Sequence, residues 1–250
     1  MNSIKISKRL EKVATCVKKG NRVADIGCDH AYTAIYMIKN NIADKVIAMD
    51  INKGPLQKAT KNIKEYGCTT QIDTRLSDGA KKLEAGEVDT ILISGMGGRL
   101  TNKILADSID VVRQCSQLVL QPQSEIFLVR RFLKKIGFSI IQEDMLIDEG
   151  KYYVIINANN DYNSVLDNCD LDGSDIENIE QMNVFDRYGR YLLEHKNSIL
   201  HQFLTKELDK SNNIKNNLKL KSLEDDRIQT RINELDREIE LISEALKYYE

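Results

Sequence analysis

Short apolar runs rich in β-branched residues alternate along residues 1–158 with stretches whose apolar side chains recur at helical spacing. The apolar runs predict strands at 22–26, 46–50, 71–76, 88–94 and 117–121, and the other stretches predict helices at 3–19, 31–41, 54–66, 100–105 and 124–136. Residues 138–148 and 151–158 predict an antiparallel hairpin at the end of this region. The alternation is typical of an α/β domain, here with a seven-stranded mixed sheet.

Residues 159–250 follow a different pattern. Residues 159–177 are rich in Asn, Asp and Ser, which is typical of a linker. Apolar residues spaced alternately by four and three positions then predict a coiled-coil seam: Ile228, Ile232, Leu235, Ile239, Ile242, Leu246 and Tyr249. A looser stripe predicts an earlier helix: Leu200, Leu204, Leu208, Ile214 and Leu218. With a break near Lys221, we expect an α/β domain over 1–158 and a helical coiled-coil hairpin arm over 159–250.

The first strand runs into a helix through the pattern Asp25-x-Gly27-x-Asp29. A strand–glycine–helix turn is a cofactor-binding turn in α/β domains, but the phosphate-binding G-x-G-x-x-G is absent, which disfavours a dehydrogenase. Asp50, which ends the next strand, suits the two hydroxyls of a ribose, and Asp25 suits an ammonium group. These features favour S-adenosylmethionine, which has a ribose, an ammonium and a sulfonium but no phosphate. The other interpretation is a core turn whose acids cap a helix or pair with lysines.

Two further turns follow predicted strands of the same sheet. Gly95, Met96, Gly97 and Gly98 come after the central strand, where glycines let the backbone approach a ligand closely; the alternative is a flexible loop or a bulge. Asp78 and Gly79 follow strand 71–76, and we expect Asp78 to accept a hydrogen bond from the exocyclic amine of the cofactor's adenine. Cys28 and Ile51, which adjoin Gly27 and Asp50, complete the predicted cofactor-binding set.

Composition narrows the class of protein. The 250 residues are 42% hydrophobic and 30% charged, as in ordinary globular proteins. We expect no membrane segment, because no apolar run approaches the ~20 residues that span a bilayer and the amino terminus lacks a signal-peptide pattern. The five cysteines are scattered without a C-x-x-C motif, and there are three histidines. This pattern predicts reduced thiols in a cytoplasmic protein with no metal site.

Charge is divided unevenly along the chain. Residues 1–158 carry 24 Lys and Arg against 18 Asp and Glu, a net +6, whereas residues 159–250 carry 12 against 20, a net −8. Basic residues nevertheless cluster at the amino terminus and again between Arg187 and Lys221. These clusters are either footprints for a polyanion or solvated helix faces, and the arm is either an RNA-gripping element or a dimerisation hairpin. The candidate RNA-binding residues are Lys5, Lys8, Arg9, Lys12 and Arg190.

Four segments together are specific enough to indicate a family. Residues 25–32 (D-I-G-C-D-H-A-Y), 94–98 (S-G-M-G-G), 120–124 (L-Q-P-Q-S) and 150–153 (G-K-Y-Y) resemble the bacterial tRNA (adenine-N1)-methyltransferases that modify position 22 of the D-arm. The resemblance covers residues 3–158 and, more weakly, the helical arm. It implies a class I, Rossmann-like methyltransferase fold with a carboxy-terminal coiled-coil arm, S-adenosylmethionine as cofactor and tRNA as substrate.

Three residues after Gly27 are the candidates for catalysis. Asp29 is expected to stabilise the positive charge that methylation places on the adenine or to accept a proton, although it could instead cap the following helix. Tyr32 is expected to stack on an adenine held out of the RNA, and His30 either assists catalysis or positions a neighbour.

The sequence therefore predicts a cytoplasmic, monomeric tRNA adenine-N1 methyltransferase. The alternatives are a methyltransferase for another RNA, a protein or a small molecule, and an RNA-interaction module that binds S-adenosylmethionine without turnover.

Overall fold

The computed structural model describes residues 4–161, 182–220 and 226–250. Contacts divide the chain into two units, Met1–Glu177 and Asn178–Glu250. The linker predicted over 159–177 begins too early, because residues 159 and 160 still belong to the last strand of the sheet. Its residues 162–177 and the predicted helix break at Lys221 lie outside the described residues.

The first unit is built on one sheet of seven strands in the order β3-β2-β1-β4-β5-β7-β6. The strands are β1 (Asn21–Ile26), β2 (Ala43–Asp50), β3 (Ile72–Leu76), β4 (Thr90–Met96), β5 (Gln117–Pro122), β6 (Phe138–Asp148) and β7 (Lys151–Asn160). Strands β1 to β5 pair in parallel, and β7 pairs antiparallel with both β5 and β6. The predicted α/β domain with a seven-stranded mixed sheet is confirmed.

Six helices accompany the described part of this sheet. They are α1 (Lys8–Thr15), α2 (Tyr32–Lys39), α3 (Lys53–Glu65), α4 (Gly98–Ala106), α5 (Ile109–Val112) and α6 (Ile126–Lys135). Helix α1 is shorter than the predicted 3–19 because the Ser7 hydroxyl accepts a hydrogen bond from the Leu10 amide and so begins the helix at Lys8. The short α5 was not predicted.

Two central strands form the middle of the core. In β4, Ile91, Leu92 and Ile93 are at most 1% exposed, and the β5 side chains from Leu118 to Leu120 are fully buried. Such continuous apolar runs are typical of parallel strands that are covered on both faces.

The register of the parallel strands brings several polar turns to one edge. Ile26 lies opposite both Met49 of β2 and Ile93 of β4, while Asp50 lies opposite Leu76 of β3. The residues that follow β1, β2, β3 and β4 therefore meet at the carboxyl edge, where α/β sheets bind their ligands.

The second unit is helical, with α7 (Val184–Tyr188), α8 (Arg190–Glu194), α9 (Ser198–Lys219), α10 (Asp226–Leu246) and a 3₁₀ turn at Lys247–Tyr249. Helices α9 and α10 run antiparallel: the Tyr249 hydroxyl donates to the Asn197 carbonyl at 2.9 Å, and Lys215 pairs with Asp236. The coiled-coil character of this pair remains a prediction. None of the helices in the described ranges is long and apolar enough to cross a membrane.

The buried stripe of α9 differs from the predicted one. Leu200 and Leu204 are buried, but the stripe continues through Ser211, which is 5% exposed, whereas Ile214 is 36% exposed. Ser211 lies two helical turns beyond Leu204 on the same face. The inclusion of Ile214 in the stripe was wrong, because its side chain is exposed whereas that of Ser211 is buried.

Candidate active site

A cavity of about 530 Å³ opens at the carboxyl edge of β1 to β4. This volume lies in the range of sites for cofactors and small ligands. The cavity brings together thirteen of the residues that the sequence singled out: Arg9, Asp25, Gly27, Cys28, Asp29, His30, Tyr32, Asp50, Ile51, Asp78, Gly79, Gly95 and Met96. Gly97, Gly98, Lys5, Lys8 and Lys12 are not among the lining residues, and Arg190 belongs to the second unit.

Asp25 is the most deeply buried acid on the cavity wall. Its side chain is almost completely inaccessible, and one carboxylate oxygen, Oδ2, has no hydrogen-bond partner among the residues that the structure describes. Burial, and secondarily the negative charge of Asp50, raises the pKa of Asp25 to about 7. An unpaired acceptor with this environment suits a positively charged ligand group, because such a group would restore the lost hydrogen bond and the lost solvation.

Asp50 and Ile51 form the wall at the end of β2. One oxygen of Asp50 accepts a hydrogen bond from the Asn52 amide at 2.8 Å, which fixes the carboxylate beside the cavity. Ile51 is 60% exposed, a large apolar side chain left open to solvent. A carboxylate next to an apolar surface suits a nucleoside, whose ribose hydroxyls donate and whose base packs on apolar groups.

The turn after β3 closes the same end of the cavity. Asp78 pairs with Lys81, and this hydrogen bond holds the pKa of Asp78 below its usual range. Gly79 has φ +59°, and a side chain there would press on Ile104 at 3.0 Å. Asp78 thus remains an ionised acceptor on the wall, as the predicted contact with an adenine amine requires.

The loop between β1 and α2 has an unusual backbone. Gly27, Asp29 and Ala31 all have positive φ, of +77°, +50° and +61°. Residues other than glycine rarely adopt this conformation, which costs free energy and is found mostly where function requires it. The loop is held by the Cys28 amide, which donates to the Met49 carbonyl, and by Asn62, whose side chain donates to the His30 carbonyl.

This loop presents Asp29 to the cavity and not to the helix. Ala31 occupies the N-cap position of α2, and no side chain caps the helix. The alternative interpretation of Asp29 as the helix cap is therefore wrong. The Asp29 side chain is 76% exposed, and its carboxylate lies 3.4 Å from His30 Nε2.

Aromatic side chains lie at the mouth of the cavity. His30 and Tyr32 pack edge to face with ring centroids 5.9 Å apart. Tyr32 is 39% exposed, so its ring is accessible to a base. Cys28 also lines the cavity, and burial raises the pKa of its thiol, which favours the neutral form.

The glycines at the end of β4 and directly after it serve two different purposes. Gly95, with φ +85°, lines the cavity, whereas a side chain on Gly98 would lie 2.6 Å from the Glu125 carbonyl oxygen and 2.7 Å from that of Ser124. A side chain on Gly97 would likewise meet the Ser124 hydroxyl at 3.0 Å. Gly97 and Gly98 thus make room for the loop after β5, and the structure gives them no contact with the cavity.

Arg9 lies in a different place from its basic neighbours. Its Nη1 donates to Ser94 Oγ at 2.8 Å and to Gln121 Oε1 at 2.7 Å, and its guanidinium lies 5.4 Å from the centroid of the Tyr153 ring. The Arg9 amide donates to Asp148 at the end of β6, which fixes the start of α1 on the sheet. Arg9 is therefore part of the cavity wall, and it lies there because α1 packs against the sheet.

The other basic candidates lie on surfaces. Lys5 and Lys8 are exposed, and Lys12 pairs with Asp144 at 3.1 Å. Arg190 pairs with Glu194 and lies over the Phe185 ring, 4.2 Å from its centroid, within the second unit. Within the described ranges, no cluster of three or more His, Cys, Asp or Glu side chains is arranged to hold a metal ion.

Sequence reasoning missed several wall residues: Leu10, Ser94, Leu100, Ile104 and Gln123. The position of Gln123 could have been predicted. It directly follows β5, and Ser94 and Gly95 lie at the same end of the neighbouring parallel strand β4. Leu100 was missed because an apolar side chain is expected in the core, whereas here it is 50% exposed at the cavity.

Known proteins resemble this chain along its whole length. A family model described as a methyltransferase domain matches residues 6–156. The tRNA (adenine(22)-N(1))-methyltransferase of Bacillus subtilis (strain 168) is 30% identical over 249 residues, which is 99% of this chain and 100% of that protein.

Two solved structures are similar in fold and were determined with a ligand. A Streptococcus pneumoniae protein in complex with S-adenosyl-L-methionine is 29% identical, with a TM-score of 0.79 over 97% of this chain and 100% of that one. The M. capricolum TrmK protein in complex with the cofactor product S-adenosyl-homocysteine is 26% identical, with a TM-score of 0.71 over 95% of this chain and 99% of that one.

Proposed function

The chain belongs to the tRNA (adenine(22)-N(1))-methyltransferase family, and we propose that it methylates N1 of the adenine at position 22 in the D-arm of tRNA. The cofactor is S-adenosylmethionine, as in the solved relative from Streptococcus pneumoniae.

The unpaired oxygen of buried Asp25 carries the cofactor assignment. S-adenosylmethionine offers an ammonium that would pair with Asp25, ribose hydroxyls that would donate to Asp50, and an adenine amine that would donate to Asp78. These three carboxylates lie at the ends of β1, β2 and β3 on one cavity wall. The three carboxylate acceptors therefore match the hydrogen-bond donors along the cofactor, from its ammonium to its adenine.

We assign Arg9 to the cofactor's carboxylate and not to an RNA phosphate. Ser94, to which Arg9 Nη1 donates, directly follows Ile93, which pairs with Ile26 of β1. A cation and the buried acid Asp25 thus border the same end of the cavity, and this arrangement complements an amino-acid moiety that carries one charge of each sign.

Bound S-adenosylmethionine supplies a methyl group on a positive sulfonium, and the chain's residues orient the base that receives it. The exposed ring of Tyr32 stacks on the extruded adenine, and the Asp29 carboxylate stabilises the positive charge that grows on the ring. Asp29 also accepts the proton if N6 loses it after transfer. His30, 3.4 Å from Asp29, positions that carboxylate.

Lys5, Lys8 and the basic residues of the second unit would contact phosphates, which supplies affinity but no choice of base. A tRNA substrate supports a cytoplasmic location. We propose that it acts as a monomer and without a metal.

Transfer of a labelled methyl group from S-adenosylmethionine to unmodified tRNA tests the function. We expect wild-type protein to label tRNA, and Asp29→Asn to bind the cofactor normally while transferring methyl groups about 100-fold more slowly. Asp44→Asn, an exposed acid at the start of β2, serves as the matched control and keeps full activity. A wild-type protein that binds both ligands and transfers nothing would be an RNA-interaction module.

A further inference from the structure

The loop after β5 carries two glutamines in the run Gln121-Pro122-Gln123, and they lie in different surroundings. Gln121 is 1% exposed; its Oε1 accepts from Arg9 and Ser94, and its Nε2 donates to the Pro122 carbonyl. Gln123 is exposed, lines the cavity, and makes no side-chain hydrogen bond with any part of the chain that the structure describes. The amide of Gln123 is thus available to a ligand.

The backbone fixes where this amide lies. The Gln123 N–H donates to the Met96 carbonyl at 2.8 Å, which ties the loop after β5 to the end of β4. The point where Gly95 would carry a side chain lies 3.7 Å from Gln123 Nε2 and 3.8 Å from Arg9 Nη1. Gln123 therefore lies beside Gly95 on the β4 and β5 side of the cavity, whereas Asp50 and Asp78, which we propose bind the ribose and the adenine of the cofactor, follow β2 and β3.

We propose that Gln123 selects the target base by binding the N6 and N7 edge of adenine. This inference rests on the proposed function of the site. A glutamine amide matches that edge: Oε1 accepts from N6–H and Nε2 donates to N7. The pair leaves the N1 lone pair uncovered, so N1 can attack the methyl carbon while the sulfur–carbon bond breaks and its electrons return to sulfur.

The same contact contributes to the rate. As the N1–methyl bond forms, the ring becomes positive and N6–H becomes a stronger donor. The hydrogen bond to Gln123 Oε1 is therefore stronger in the transition state than in the ground state, which is the condition for catalysis by binding. Guanine presents a carbonyl at the place of N6, so it would meet Oε1 with an acceptor and be rejected.

A tRNA with 7-deazaadenine at position 22 tests the contact. This base has C–H in place of N7 but keeps N1 and N6. We expect the wild-type kcat/KM to fall about tenfold or more on the altered tRNA. Gln123→Ala should lose a similar factor on normal tRNA and should no longer distinguish the two substrates. Gln114→Ala, the same change at an exposed glutamine before β5, should behave as wild type.

Cofactor affinity, measured by calorimetry, separates the other roles that Gln123 could have. The dissociation constant for S-adenosylmethionine should be unchanged in Gln123→Ala, and a loss comparable to that in kcat/KM would make Gln123 a cofactor residue and overturn the proposal. Equal wild-type rates on both tRNAs, or an unchanged preference in Gln123→Ala, would also overturn it. Failure of the wild-type protein to methylate normal tRNA would instead refute the proposed function.

Discussion

The buried Asp25 carboxyl group destabilises the folded protein when it is ionised. Its pKa in the folded protein is about 7, against an ordinary value of 3.8, because burial disfavours the charged form. The unfolded chain therefore releases the proton near pH 4, whereas the folded chain keeps it until about pH 7. Between these values the folded state binds more protons than the unfolded state, so this residue's contribution to stability falls as the pH rises.

Asp25→Asn should stabilise the protein while abolishing cofactor binding. Above pH 7 the substitution removes a buried charge, and we expect the free energy of unfolding at pH 8 to rise by roughly 2–4 kcal/mol, with a smaller gain at pH 5. Urea denaturation at the two pH values measures the gain, and calorimetry measures the loss of S-adenosylmethionine affinity. Asp44→Asn is the exposed control; a destabilised Asp25→Asn protein that still binds the cofactor would contradict this role.

Residue chemistry in the β1–α2 turn was largely predictable from the sequence, but its backbone was not. The D-x-G-x-D spacing predicted the positions of Asp25 and Asp29, because Gly27 marks where the strand ends and one acid lies on each side of it. The positive φ of Asp29 and Ala31 depends on contacts with Met49 and Asn62, which are remote in sequence. The cap position of α2 followed from that backbone and could not be predicted from the residue types.

Two loops at the carboxyl edge are joined into one structure. The Gln123 amide donates to the Met96 carbonyl, and the Gly98 amide donates to the Ser124 carbonyl at 3.0 Å. The absence of a side chain at Gly98 permits this approach. The loop after β5 is thereby held against the loop after β4, at the side of the cavity that Gly95 and Gln123 line.

Gly98→Ala should destabilise the first unit. The added methyl would lie within 2.7 Å of two backbone oxygens, and we expect a loss of about 1–3 kcal/mol in the free energy of unfolding. Gly54→Ala is the matched control, since Gly54 lies in the first turn of α3 with no atom within 4 Å of the added methyl. That change should stabilise the protein by about 0.5–1 kcal/mol. Equal effects of the two substitutions would show that the close approach does not matter.

The stability of the α9–α10 pair depends on the apolar residues that are buried between its helices, and not on every apolar residue at helical spacing in the sequence. Leu235→Ala removes a side chain that is fully buried, and we expect it to destabilise the second unit by about 2–5 kcal/mol and to weaken tRNA binding. Cofactor affinity should not change, because the cavity residues belong to the first unit. Ile214→Ala, at a 36% exposed position, should change stability by no more than about 0.5 kcal/mol. Circular dichroism melting and tRNA titration measure these effects, and similar losses in both variants would refute the assigned stripe.

Elements were easier to predict than the contacts between them. Apolar runs predicted β4 and β5 because central parallel strands are buried on both faces. Arg9 was placed among RNA-binding lysines because its neighbours in sequence are basic, yet α1 packs so that Arg9 reaches Ser94 and Gln121. The sequence of a single helix does not specify which residue faces a strand about 80 positions away.

At the scale of the whole molecule, the cavity belongs to one unit, whereas basic clusters occur in both. The cavity and its four carboxylates belong to the first unit, which also carries the exposed Lys5 and Lys8. Arg190 and the other basic residues between Arg187 and Lys221 belong to the acidic carboxy-terminal part. A small cofactor needs only the cavity, whereas we propose that a polyanion such as tRNA also uses basic residues outside it.

Mapping the methylated nucleotide tests the central claim most directly. Methylation at N1 blocks base pairing, so reverse transcriptase should stop next to position 22 of tRNA treated with wild-type protein and cofactor. The stop should be absent with Asp25→Asn and with tRNA that carries guanine at position 22. Methyl incorporation without a stop, or a stop at another nucleotide, would contradict the assignment of N1 of adenine 22 as the target.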